Sequence, residues 1–277
     1  MKIVTSAGEM RQVSSELKGA VLGLVPTMGA LHEGHLSLVR RARAECGAVA
    51  VSIFVNPLQF GPAEDFAQYP RTFEADCAAL AAEGVDAVFA PEAVEMYPSG
   101  AATAVSVAGV GDRLDGASRP GHFTGVATVV AKLLHIVAPA RAYFGQKDAA
   151  QLAVLRRMVC DLNFDVELVG CGIVRDADGL ALSSRNRYLS EGERGQALAL
   201  RRCLLAMEQL IAAGVRGSEA LLQAGRRVLD AAVGVRVDYL AVVDAATLLP
   251  VETVVPGTLV AVAVWVGGTR LIDNFVA

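Results

Sequence analysis

At 277 residues the chain is long for one compact core and sufficient for two domains. Hydrophobic residues make up 53% and charged residues 19%, which excludes a disordered chain. The 25 Lys and Arg against 29 Asp and Glu leave a net charge of −4, without the basic footprint of a general nucleic-acid binder. Any polyanionic ligand must therefore be met by a local group of cations. Cysteines at 46, 77, 160, 171 and 203 are odd in number and form no C-x-x-C pair, which points to reduced thiols. The start, MKIVTSAGEMRQ, has no apolar run of the kind a secretory signal carries. The longest apolar stretches, AVAVSIFV (48–55) and TLVAVAVWV (258–266), fall far short of the roughly 18 residues a membrane span needs. A cytoplasmic protein is expected, with neither membrane nor nucleic acid as partner.

Through the first 170 residues, short runs rich in Val, Ile and Phe alternate with longer helical patterns. VLGLVP (21–26), AVAVSIFV, VDAVFA (85–90), RAYF (141–144) and VELVG (166–170) read as strands buried on both faces. HLSLVRRARAEC (35–46) sets Leu36, Val39 and Ala42 on one helical face and arginines on the other. FTGVATVVAKLLHIVA (123–138) is apolar at 126, 129, 130, 133, 134 and 137, and DAAQLAVLRRMVCDL (148–162) repeats the pattern. This alternation predicts an α/β chain with a Rossmann-like, doubly wound parallel sheet over residues 1–174. Then the rhythm changes. Helices near 191–213 and 217–232, with strands near 235–243 and 258–266, predict a second, smaller α+β domain over 175–277, acting as a lid. Ser190 with Glu193 three residues on reads as a helix cap, and DADG within 174–179 as a turn and hinge.

The densest chemistry lies in VPTMGALHEGH (25–35). A strand ends at Pro26, a turn passes Gly29, and a helix starts near Gly34, at the carboxyl edge where open parallel sheets bind ligands. A helix start there offers unpaired N–H groups and a positive dipole to a phosphate. His32 and His35, two of only four histidines, are spaced to point the same way. The spacing is H-E-x-H rather than H-E-x-x-H, which argues against zinc, and no G-x-x-x-x-G-K-[ST] occurs.

Three further clusters follow strands or loops. Asn56 and Gln59 in VNPLQF offer neutral donors and acceptors suited to hydroxyl and carboxylate groups of a small polar substrate. Arg119 and His122 in RPGHF, just before a helix, admit either that reading or a local structural one. Lys147 in YFGQKD sits opposite the histidine turn if the two strands are neighbours. Ser183, Ser184 and Arg185 bring hydroxyls and a guanidinium to one loop, suited to clamping phosphate.

Taken together and in order from near residue 24 to residue 274, MGALHEGH, VSIFVNPLQF, YPRT, RPGHFTGV, YFGQKD, VRDADGLALSSRN and TRLIDN resemble the pantoate–β-alanine ligase (pantothenate synthetase) family. H-x-G-H alone would indicate only the wider nucleotidyl-transferase group. The resemblance implies an AMP-forming ligase that joins (R)-pantoate to β-alanine with ATP and Mg2+, acting as a homodimer. It implies ATP contacts at Met28, Gly29, Ala30, Leu31, His32, Glu33, Gly34 and His35, at Gly145, Gln146, Lys147 and Asp148, at Val174, and at Leu182, Ser183, Ser184 and Arg185. His35 matches the family's proton donor, with His32, Lys147 and Arg185 offsetting developing charge. Gln59 matches the residue touching both acids and Gln151 the other pantoate ligand, with Asn56 and His122 as further substrate-pocket residues. Ala150 departs from the family, which usually carries a second Gln there. The magnesium ligands stay open: Asp76, on a helix that also holds Glu74, reads equally as a ligand or as part of a solvated face. From ATP binding alone, an adenylyltransferase that releases its adenylate and a nucleotide sensor that consumes nothing are the alternatives. The paired glutamines favour the ligase.

Overall fold

Strands form where the apolar runs require burial on both sides. The computed structural model describes residues 1–17, 19–61 and 66–277. Six strands, β1 (Lys2–Val4), β2 (Leu22–Thr27), β3 (Ala48–Ile53), β4 (Ala87–Phe89), β5 (Arg141–Gly145) and β6 (Glu167–Cys171), make one all-parallel sheet in the order β1-β4-β3-β2-β5-β6. Ala48, Val49, Ala50 and Val51 of β3 are each at most 2% exposed, as a strand covered on both faces must be. Interleaved with these strands are α1 (Ala7–Glu16), α2 (Glu33–Glu45), α3 (Phe73–Ala82), α4 (Ala93–Met96), α5 (Asp115–Ser118), α6 (His122–Val137) and α7 (Ala149–Asp161). Leu38, Val39 and Ala42 of α2 join Leu80 of α3 and Val25, Val49, Val51, Val88 and Tyr143 of the strands in one core. All six apolar positions expected on α6 are buried, and α1 packs against that helix.

The order matters for function. From β2 the chain steps outward through β3 and β4, then returns to β5 on the other side of β2, where Gly23 pairs with Arg141 and Leu24 with Ala142. That reversal is the switch point, and a parallel sheet opens its ligand crevice at the carboxyl ends of the two strands flanking it. β2 ends at Thr27, directly before the histidine turn, and β5 ends at Gly145, directly before Gln146.

The chain divides into two compact units, Met1–Gly145 with Val154–Gly172, and Gln146–Ala153 with Ile173–Ala277. This differs from a single boundary after residue 174, because the segment carrying Lys147 and Gln151 groups with the C-terminal unit. In that second unit β7 (Val235–Asp244), β8 (Thr258–Val266) and β9 (Thr269–Val276) form an antiparallel sheet. The helices are α8 (Glu191–Ala197), α9 (Ala199–Ala212) and α10 (Ser218–Asp230). Cys203, Leu204 and Met207 of α9, with Leu221 and Leu229 of α10, cover Val260, Val262 and Val264 of β8. The single helix expected over 191–213 is two, interrupted at Leu198. Ser190 caps α8 as expected, its hydroxyl accepting from the Glu193 amide while the Glu193 carboxylate accepts from the Ser190 amide at 2.8 Å.

Candidate active site

The turn after β2 is held against its own strain. Gly29 and Ala30 both have positive φ, 81° and 50°, a region that costs a residue bearing a Cβ roughly 1 kcal/mol or more. Two anchors fix it. The Thr27 hydroxyl accepts from the Gly29 amide at 3.2 Å and donates to the Ser52 carbonyl at 2.7 Å. The Asp76 carboxylate accepts from the amides of Ala30 (2.9 Å) and Leu31 (2.8 Å) and from the Thr72 hydroxyl (3.1 Å). Asp76 is 3% exposed, and a Cβ on Gly29 would come within 3.0 Å of its Oδ2. The reading of Asp76 as part of a solvated face is thereby corrected. It is buried, not on a solvated face, and its oxygens accept from two backbone N–H groups and the Thr72 hydroxyl.

His32 then caps α2. Its Nδ1 accepts from the Gly34 amide at 3.1 Å, while Nδ1 of His35 accepts from the His32 amide at 3.3 Å. The ring centroids stand 4.1 Å apart. A nitrogen that accepts carries no proton, so each neutral ring holds its proton on Nε2. The turn therefore prepares two Nε2–H donors side by side. Glu33 looks elsewhere: its carboxylate pairs with Arg40, which holds its pKa below the usual carboxylate range.

Beside this turn lies an amide pocket in the same unit. Asn56 is 1% exposed; its Nδ2 donates to Gln59 Oε1 and to the Gly125 carbonyl, both at 3.1 Å. Its Oδ1 accepts from the Tyr97 hydroxyl at 2.8 Å. Gln59 Nε2 contacts Met28 Sδ at 2.9 Å. From below, the Gln59 carbonyl accepts from His122 Nδ1 at 2.8 Å and from Arg119 Nη2 at 3.2 Å. Arg119 also donates to His122 Nε2 at 3.0 Å, which sets the proton of that ring on Nδ1. His122 thus braces the Gln59 backbone. Gly125 makes the approach feasible, since a Cβ there would lie 2.2 Å from the Leu58 carbonyl oxygen.

In the second unit, Gln146–Asp148 forms a 3-10 turn leading into α7. Lys147 is one-fifth exposed, with its ammonium 3.5 Å from Asp148 Oδ1. Gln151 is half-buried on the first turn of α7, and Ala150 beside it is 3% exposed. The residues read as a turn and hinge form a cross-linked hairpin: Arg175 bridges to Ala181, the Leu182 amide donates to the Val174 carbonyl, and Gly179 turns with φ 92°. Arg194 grips Asp176 at 2.7 Å and Asp178 at 2.8 Å, which lowers the pKa of Asp178. Leu182 leads to Ser183, whose hydroxyl caps the turn Ser184–Tyr188 by accepting from the Arg185 amide at 3.3 Å.

Sequence reasoning singled out the histidines, the glutamines and Lys147; it did not single out Asp76 as a brace, Tyr97 or Asn274. Each of these acts through backbone or amide partners far off in sequence. Among the described residues no three His, Cys, Asp or Glu side chains group to hold a metal ion.

An all-parallel sheet with an H-x-G-H turn at its switch point and an amide pocket beside it defines an α/β protein whose ligand crevice lies at the carboxyl edge of that sheet. The family described as pantoate-beta-alanine ligase matches residues 2–276. Pantothenate synthetase of Acidobacterium capsulatum is 68% identical over 253 residues, 91% of this chain and 85% of that one. The Koribacter versatilis enzyme is 56% identical over 100% of this chain and 96% of its own. Among solved structures, the Thermus thermophilus synthetase superposes with a TM-score of 0.95 at 52% identity, covering 99% of both chains. The Francisella tularensis ligase, complexed with beta-gamma ATP and beta-alanine, gives 0.77 at 31% identity, covering 100% of this chain and 97% of its own. The chain belongs to the pantoate–β-alanine ligase family, enzymes that form pantothenate.

Proposed function

We propose that this chain joins (R)-pantoate to β-alanine in two steps, through a pantoyl adenylate, with ATP as co-substrate. The Francisella complex supports ATP and β-alanine as its substrates. A carboxylate cannot expel its own oxygen, so it must first be activated. A pantoate carboxylate oxygen bonds to the α-phosphorus of ATP, and the bond from that phosphorus to the β-phosphate oxygen breaks, releasing pyrophosphate. The β-alanine nitrogen then bonds to the acyl carbon, loses a proton, and AMP departs with the former carboxylate oxygen.

One observation carries this reading: two histidines at the switch point, each with Nδ1 accepting from a backbone amide, an arrangement that assigns the donor role to Nε2. Such donors stabilise charge growing on the phosphate oxygens without reorganising. His35 is the proton donor, with His32, Lys147 and Arg185 adding charge. ATP contacts are assigned to residues 28–35, 145–148, 174 and 182–185, and Gln59 and Gln151 to pantoate. Asn56, in contact with Gln59 Oε1, turns the Gln59 amide for its task. The amine step needs little beyond positioning. Mg2+, held by the triphosphate oxygens and water, would supply positive charge to offset that of the phosphates. A homodimer in the cytoplasm is inferred from the family resemblance, and sedimentation tests the dimer. Pantoate labelled with 18O in its carboxylate tests the chemistry: one label should appear in AMP. Label in inorganic phosphate, with ADP formed, would mean an acyl phosphate instead.

A further inference from the structure

Strand β9 reads TRLIDNFV, and its two buried polar residues have no part in the chemistry above. Asp273 and Asn274 are each 3% exposed, opposite an apolar β8. A carboxylate and an amide are costly to bury unless their hydrogen-bonding groups are satisfied. Asn274 Nδ2 donates to the Gln146 carbonyl at 3.0 Å and to the Lys147 carbonyl at 2.8 Å, and its Oδ1 accepts from Gln146 Nε2 at 3.3 Å. Those two carbonyls belong to the peptide planes on either side of the Lys147 Cα. Fixing both planes fixes the direction in which the Lys147 side chain leaves the backbone.

Asp273 points to the other face of the strand. It accepts from Nη1 and Nη2 of the Arg175 guanidinium, at 2.6 and 2.9 Å. Arg175 also donates to the Gly179 carbonyl and bridges to Ala181, two residues before Ser183. One short stretch of β9 thus ties down two separate segments of the second unit.

We propose that Asn274 is a positioning residue that sets Lys147, and that Asp273, through Arg175, does the same for the loop bearing Ser183, Ser184 and Arg185. The proposal rests on Lys147 serving the phosphate chemistry assigned above. A displacement of about 1 Å at such a group costs about 100-fold in rate. The test is a mutant cycle measured as kcat and as KM for ATP, with folding followed by circular dichroism. Asn274→Asp retains volume and the Oδ1 acceptor but loses both donors. Asn274→Asp and Asn274→Ala should fold and lose 10- to 100-fold in kcat, yet cost less than twofold further when placed on Lys147→Ala. An equal loss in both backgrounds, unchanged kcat, or failure of both variants to fold would overturn the proposal in favour of a purely structural role. Near-normal turnover in Lys147→Ala alone would sink the assignment of Lys147 itself, and the proposal with it.

Discussion

Replacing the Asp76 carboxylate by an amide is the sharpest probe of the histidine turn. In Asp76→Asn one oxygen becomes an NH2 group and faces a backbone N–H of Ala30 or Leu31, where it now meets a donor instead of accepting from it. One charge-assisted hydrogen bond is lost, about 1.5–3 kcal/mol, and the survivors become neutral bonds of about 1 kcal/mol. A loss of about 2–4 kcal/mol in urea unfolding follows. The released turn can relieve the positive φ of Ala30, which moves His32 and His35 away from their paired arrangement. Turnover should fall about 10- to 100-fold, since a shift near 1 Å costs about that much. Initial rates of pantothenate formation across a Mg2+ titration supply the assay. A brace predicts a loss that no Mg2+ concentration repairs. Wild-type stability with activity restored by raised Mg2+ would refute the reasoning and make Asp76 a metal ligand.

Gly125→Ala should destabilise the fold by about 1–3 kcal/mol and raise KM for pantoate, because the new methyl lies 2.2 Å from the Leu58 carbonyl and displaces Gln59; a KM change confined to ATP would contradict the cradle. Gln151→Ala should weaken pantoate saturation by about 10-fold or more, from a hydrogen bond to a charged group worth about 1.5–3 kcal/mol, with KM for ATP as the control. Burial pushes the Tyr97 phenol up to about 12, against about 10 unfolded. Its contribution to stability is therefore complete below pH 10 and lost as pH rises toward 12. Tyr97→Phe should flatten that part of the alkaline stability profile and, through Asn56, lower kcat/KM for pantoate severalfold; an unchanged profile would remove Tyr97 from the network.

The strands easiest to read were the ones buried on both faces. AVAVSIFV and TLVAVAVWV could hardly be anything else, and the parallel sheet of the first unit followed from the alternation of strands with helices through residue 170. β1 went unread because it has only three residues, two of them exposed. β9 went unread because Asp and Asn interrupt its apolar pattern, and those residues serve the segments they tie rather than the sheet. The same cause hid the division of the chain. Lys147 follows β5 closely, yet the side chain that holds its carbonyl is 127 residues away. His32 and His35 were legible because a strand, a turn and a helix start meet within one short motif. Asp76 was not, since acceptance of backbone amides by a distant carboxylate leaves no local signature.

Isotope exchange between pyrophosphate and ATP tests the central claim most directly. Labelled pyrophosphate should enter ATP when pantoate is present and β-alanine is absent, and exchange should collapse by orders of magnitude in His35→Ala and Lys147→Ala. Exchange that required β-alanine would contradict a free-standing pantoyl adenylate, and undiminished exchange in either folded variant would contradict the role given to that side chain.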